Sequence, residues 1–105
     1  MPDQEQGQAG ETMPAIFAHD DEIVASDVAA EIVNNVRGLV YERIHKLMAA
    51  GKEEKVERLK AGPAKRLFDL LGSLDHRDLA HIQSVIATWG PLLRDEAALW
   101  RELDG

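Results

Sequence analysis

The sequence predicts an all-α protein, a small bundle of about five helical segments built on one long amphipathic helix near the N-terminus. Residues 28 to 48, VAAEIVNNVRGLVYERIHKLM, repeat apolar residues at the spacing of an α-helix. The chain after this stretch keeps an apolar spacing of three or four residues. No segment alternates apolar and polar residues as a half-buried strand does. These three observations indicate helices and exclude a sheet.

The first helix carries an apolar stripe that is wide for a single chain of this size. At about 100° per residue, nine apolar residues fall on an arc of about 160°. They are Val28, Ala29, Ile32, Val33, Val36, Leu39, Val40, Ile44 and Leu47. Because a coiled-coil seam is narrower, this stripe needs more than one neighbouring helix. We therefore expect Val33, Val40 and Ile44 to be shared between the chain's own core and a partner.

The ends of the first helix are indicated by capping residues. Asp20 to Asp27 offers carboxylates for a helix start, which we place near Asp21, and Gly51 is expected to end the helix in the left-handed conformation. Gly38 lies on the polar side, where we expect it to permit close approach by another helix.

Two glycine–proline pairs divide the rest of the chain. The apolar spacing continues across Pro63, so we predict two helices, at 52–60 and 63–71, joined by a kink or tight break at Gly62–Pro63. Asp75 and Asp78 resemble a capping box and predict a helix over 76–89. Gly90–Pro91 ends that helix, and a final helix over 92–103 is predicted to bury five residues. These are Leu92, Leu93, Leu99, Trp100 and Leu103.

Charge is distributed unevenly along the chain. Residues 1–31 contain eight of the nineteen acidic residues and no Lys or Arg, leaving twelve bases against eleven acids in the remainder. We expect residues 1–19 to form a disordered acidic arm on a single helical domain over 20–105. The arm should engage a basic protein surface and be repelled by nucleic acid. Its apolar pair, Ile16 and Phe17, should either cover one end of the core or insert into a partner.

Catalytic chemistry finds little support in the residues. The chain has no cysteine, which excludes disulfides and thiolate chemistry. Ser26, Ser73 and Ser84 lie at helix starts, turns or surfaces rather than on a nucleophile elbow. Glu96 falls within an apolar stripe, where we expect a salt bridge with a base such as Arg43. We therefore predict no enzyme and no cofactor.

A carboxylate and histidine pair occurs at metal-ligand spacing in two predicted helices. Glu42 with His45, and Asp78 with His81, have the i, i+3 spacing of di-iron bundle ligands. Such ligands project into a bundle, whereas Glu42, His45 and His81 lie off their apolar stripes and Asp78 is expected to cap a helix. A metal-binding bundle is therefore kept only as the least favoured alternative.

A helix-turn-helix regulator is the second alternative. Residues 63–71, a turn at 72–75 and a recognition helix over 76–89 would form the motif. The recognition helix would offer Arg77, Gln83, Ser84 and Thr88 to a groove, and one base is few for a phosphate-dominated interface. Nucleic acid is therefore not the expected partner.

The sequence as a whole favours a non-catalytic protein–protein interaction module: an adaptor, inhibitor or antitoxin-like regulator that forms a homodimer and engages a protein with a basic surface. Tyr41, on the polar side of the first helix, is expected to join the contact patch. The chain shows neither a signal peptide nor an apolar run of about 18 residues. We therefore expect a cytoplasmic protein without membrane association.

Overall fold

The computed structural model describes the backbone of residues 15–104 and the side chains of residues 23–104. Within residues 15–104 the chain forms helices and no strand, so the all-α class is confirmed. The elements in chain order are α1 (Ala15–Ala49), α2 (Glu53–Leu59), a π-helical turn (Lys60–Ala64), α3 (Lys65–Gly72), α4 (Leu79–Trp89), a 3₁₀ turn (Pro91–Arg94) and α5 (Glu96–Asp104).

The long first helix starts earlier than expected and ends where expected. Its backbone is helical from Ala15 rather than from near Asp21, while residues 1–14 of the predicted acidic arm lie outside the described residues. At the other end Gly51 has φ 74°, and the Lys52 amide donates to the Leu47 carbonyl at 2.9 Å. This is the left-handed glycine closure that the sequence predicted.

Pro63 lies inside a continuous helical run from Glu53 to Gly72 instead of separating two helices. Proline lacks an N–H, and its ring would clash with the carbonyl four residues earlier in an α-helix. The π turn replaces that spacing locally with bonds to the fifth residue, and the flanking Leu59 and Lys65 keep right-handed helical angles. The two predicted helices are therefore one run, with Pro63 and Ala64 buried at its centre.

The starts of α4 and α5 depend on aspartate caps. Asp78 accepts a hydrogen bond from the His81 amide at 3.2 Å and caps α4, so this helix begins three positions later than the predicted residue 76. Asp95 caps α5 in the same way through the Ala98 amide at 3.1 Å. As predicted, Leu99, Trp100 and Leu103 of α5 are buried, whereas Leu92 and Leu93 belong to the 3₁₀ turn and are partly buried.

The core forms around one side of α1. This helix packs against α2, α3, α4 and the π turn, while α5 packs against the π turn and the 3₁₀ turn. Arg66 joins α3 to α5, donating to the Glu102 carboxylate at 2.7 Å and to its carbonyl at 2.9 Å. A Cβ added to Gly38 would have no neighbouring atom within 4 Å, so the expected close approach of a helix at this residue does not occur.

Candidate protein-interaction surfaces

Three of the six residues predicted to bind a partner are part of the core. Val33 and Val40 are 0% exposed and Ile44 is 3% exposed, so their side chains have no surface to offer a partner. The prediction is corrected for these three because several short helices of the same chain together cover the wide apolar arc. Tyr41 is 41% exposed, and the side chains of Ile16 and Phe17 lie outside the described residues.

Three apolar side chains near the N-terminal end of the described part of α1 are exposed. Ile23, Val24 and Val28 are 38%, 57% and 41% exposed, although Ala29 at the next position is fully buried. At 100° per residue, Val24 and Val28 lie within about 40° of each other and form a short exposed apolar strip, whereas Ile23 lies about 100° from Val24.

An arginine lies close to two exposed aromatic rings on the surface formed by α1 and α3. The Arg37 guanidinium carbon is 5.7 Å from the centre of the Tyr41 ring and 5.9 Å from that of Phe68. Phe68 is 63% exposed, the highest fraction among the large apolar side chains of residues 23–104. We call Arg37, Tyr41 and Phe68 the arginine–aromatic patch.

The guanidinium of the arginine–aromatic patch is held in place from within α1. Arg37 Nη1 donates to Asn34 Oδ1 at 3.0 Å, and Nε is buried without a hydrogen-bond partner among the described residues. Contact with the electron-rich faces of two rings partly offsets that loss of hydration. The sequence did not single out Phe68, because this residue falls outside the apolar spacing of three or four residues that continues across Pro63.

A second surface is a cleft of about 730 Å³ between α1, α2, the π turn and α5. It has a cationic rim and an apolar floor, and we call it the basic cleft. Its lining consists of Arg43, Lys46, Leu47, Lys55, Arg58, Leu59, Gly62, Pro63, Leu103 and Asp104. Lys46 forms an exposed ion pair with Glu42 at 3.8 Å. The side chains of Lys55 and Arg58 form no ion pair within residues 23–104.

Arg43 belongs to the rim of this cleft but contacts an aromatic ring rather than a carboxylate. Its guanidinium carbon lies 3.5 Å from the centre of the Trp100 ring. Glu96 instead accepts a hydrogen bond from Trp100 Nε1 at 3.4 Å. The expected Arg43–Glu96 salt bridge is therefore wrong: Trp100 engages both residues separately. The positive charge of Arg43 thus stays without a carboxylate in the described part of the chain.

A serine and a histidine that the sequence did not connect are neighbours in the fold. Ser73 Oγ lies 2.9 Å from His81 Nε2 and donates to the Leu70 carbonyl at 2.6 Å. Since that proton is directed at a carbonyl, the histidine must donate to the serine rather than accept from it. Ser73 also caps the C-terminus of α3, where the helix dipole disfavours a developing oxyanion. These hydrogen bonds stabilise the connection between α3 and α4, and they do not activate Ser73 as a nucleophile.

The residues of the metal alternative do not converge. Within residues 23–104, no group of three or more histidine and carboxylate side chains could hold a metal ion. Glu42 pairs with Lys46, Asp78 caps α4, and His81 contacts Ser73.

The proposed recognition helix also changes in the structure. Arg77 precedes α4, so Leu79–Trp89 itself contains neither Lys nor Arg. Arg77 is instead bound to Asp75, with its Nη2 at 3.1 Å from Asp75 Oδ2. The hydrogen bond from the Arg77 side chain, reinforced by the Arg77 amide, lowers the pKa of Asp75 from 3.8 to about 2. α4 therefore has no lysine or arginine with which to contact the bases or phosphates of a DNA groove.

No family model matches this chain, and neither a curated protein nor a solved structure shows significant similarity to it. Among the described residues, no helix combines the length and apolarity needed to cross a membrane. The function must therefore be inferred from the chain's own surfaces and charges.

Proposed function

We propose that this chain is a non-catalytic protein-interaction module, of the adaptor, inhibitor or regulator kind, and that it binds its partner through the arginine–aromatic patch. The observation that carries the proposal is the placement of two exposed rings, Tyr41 and Phe68, at 5.7 Å and 5.9 Å from the guanidinium carbon of Arg37.

The exposure of Phe68 is unfavourable for the isolated chain. Fully burying a Phe side chain is worth about 1.5–3 kcal/mol relative to leaving it in water. Because Phe68 is 63% exposed, most of that gain is still to be made, and covering the ring by a partner would provide it. A partner that covers Phe68 and Tyr41 would therefore gain binding free energy from burying these rings.

The composition of the patch also suits a protein partner. Tyrosine and arginine are enriched among the residues that dominate protein interfaces. Aromatic side chains have few torsions to restrict on binding, and Arg37 is already restrained by Asn34. A partner that presents an apolar surface with a nearby acceptor therefore meets a preorganised site.

Site-specific photo-crosslinking in the native host tests this function. A photoreactive amino acid replaces Phe68 in one variant and Gln83, an exposed residue of α4, in the control. We expect a discrete adduct with another protein from position 68 only. Absence of an adduct from position 68, or the same adduct from both positions, would contradict the proposal.

A binding measurement with the crosslinked partner then measures the contribution of the ring. We expect Phe68→Ser to weaken binding at least about tenfold, since a central interface aromatic is worth more than about 1.4 kcal/mol. Gln83→Ser should leave the dissociation constant unchanged. Circular dichroism and thermal unfolding establish that both variants remain folded.

A further inference from the structure

We propose that the basic cleft binds the N-terminal part of α1 from a second copy of this chain, forming an antiparallel homodimer. This contact is separate from the arginine–aromatic patch, because Tyr41 lies about 140° around α1 from Lys46 at 100° per residue. The two proposals can therefore fail independently.

Charge favours this pairing of surfaces. Residues 1–31 carry eight acids and no base, whereas the cleft rim carries four cations and one acid, Asp104. Lys55 and Arg58 have no ionic partner within residues 23–104, so their charges are available. The most acidic part of the chain and the basic cleft thus complement each other.

The apolar contacts are complementary as well. Val24 and Val28 are 57% and 41% exposed on the N-terminal part of α1. Leu47, Leu59 and Pro63 form an apolar floor in the cleft. Docking would cover both surfaces at once, in the way that an amphipathic helix binds a groove.

The helical register places the docking positions and position 46 on one side of α1. Positions 21, 24, 28 and 46 lie within about 60° of one another at 100° per residue. An antiparallel pair of α1 helices related by a twofold axis brings position 21 of each copy, an aspartate, opposite position 46 of the other. The same contact then forms twice, as a closed dimer requires.

Only another molecule can provide this segment of α1. Positions 21 and 46 belong to one continuous helix and are separated by about 37 Å at 1.5 Å per residue. The segment therefore cannot fold back into the cleft of its own chain. If this segment occupies the cleft, a second copy of the chain provides it.

The size of the contact predicts a weak dimer. An overlap of about 37 Å, with a helix diameter of about 10 Å, gives a footprint of roughly 400 Å² on each copy. This lies below the roughly 800 Å² per partner of a standard stable interface. We expect a reversible, micromolar dimer that dissociates as salt rises from about 0.05 M to about 0.5 M, because screening weakens exposed charge pairs.

Sedimentation equilibrium of the full chain at micromolar concentration tests the proposal with two matched charge reversals. Lys46→Glu with Arg58→Glu alters the cleft, and Asp20→Lys with Asp21→Lys alters the docking segment. The control, Arg94→Glu with Arg101→Glu, changes the net charge as much as the cleft variant but lies outside its lining. We expect a dimer from the wild type and the control, and a monomer from each of the other two variants.

Mixing the two monomeric variants provides the decisive measurement. Each cross-contact then pairs an acidic segment with a basic cleft or a basic segment with an acidic cleft, so we expect the mixture to form a heterodimer. A misfolded variant could not be rescued in this way. A monomeric wild type, a dimeric cleft variant, or a mixture without association would overturn the proposal, and the first result would leave the cleft to a foreign acidic ligand.

Discussion

Two parts of α1 carry valines in different surroundings. Val33 and Val36, in the covered part over residues 29–47, are fully buried, whereas Val24 and Val28, in the exposed part over residues 23–28, are 57% and 41% exposed. Register accounts for much of the difference, because at 100° per residue Val24 lies about 120° and Val28 about 80° around α1 from Val36. Ala25 lies about 20° from Val36 and packs against the core.

Several elements cover the apolar side of α1. The turn at Gly51 brings the second helical run back along α1 from its C-terminal end. α4 packs against α1 as well, and the 3₁₀ turn that follows α4 lies beside Ile32. An amphipathic stripe therefore indicates which side of a helix is apolar, whereas the placement of the neighbouring helices determines how much of that side is buried.

The strongest change in stability should come from applying the same substitution to the two parts of α1. Val36→Ala should lower the free energy of unfolding by about 2 kcal/mol, because it removes two buried methyl groups and leaves a cavity. Val28→Ala should change it by less than about 0.5 kcal/mol, because its side chain is partly in water. Urea unfolding, followed by circular dichroism below the concentration of self-association, measures both.

Equal destabilisation by Val36→Ala and Val28→Ala would remove the distinction between the covered and exposed parts. It would mean that Val28 is covered within the monomer. A larger effect of Val28→Ala at high protein concentration alone would instead locate Val28 in a contact between copies.

A smaller effect distinguishes two glycines associated with the covered part of α1. Gly51→Ala should destabilise the protein by about 1 kcal/mol, because φ 74° is unfavourable for a residue with a Cβ. Gly38→Ala should stabilise it by about 1 kcal/mol, because this helical position has open space around the added methyl group. Thermal unfolding of the two variants should therefore give midpoint shifts of opposite sign.

Destabilisation by Gly38→Ala would contradict the open surroundings of this residue. It would show that something contacts the polar side of α1 near Gly38. The covered part would then be enclosed on more than its apolar side.

The weakest effect concerns the connection that leads into α4, one of the covering helices. Asp75 has a pKa of about 2 in the folded chain against 3.8 ordinarily, because Arg77 donates hydrogen bonds to the ionised form. A lowered pKa contributes stability above about pH 3.8, and that contribution disappears as the pH falls toward 2. Carbon-detected NMR titration of the Asp75 carboxyl should show a midpoint near 2.

The variant Arg77→Ala should move the Asp75 midpoint upward and only part of the way to 3.8, because the backbone amide of residue 77 still donates at 3.0 Å. An unchanged midpoint would show that the Arg77 side chain does not bind Asp75 in solution. Stability at neutral pH should barely change, since the pair is exposed.

The candidate surfaces were only partly predictable. Tyr41 could be placed on the polar side of α1 from its register, but Phe68 lies on another helix and no periodic signal connects it with Arg37. The cations of the basic cleft resemble an ordinary exposed helix face in the sequence. Their relation to Arg43 and Leu103 depends on how α2 and α5 pack, which local patterns do not encode.

Local patterns in the chain were enough to establish the all-helical class, the side of α1 that is apolar, the closure at Gly51 and the acidity of residues 1–31, because spacing, backbone freedom and charge are local properties. The enclosure of Val33, Val40 and Ile44, and the exposure of Val28, depended on how the helices pack. Burial is a property of pairs of elements, and it depends on the distance over which one helix lies against another. That distance follows from where α2, α3 and α4 lie along α1.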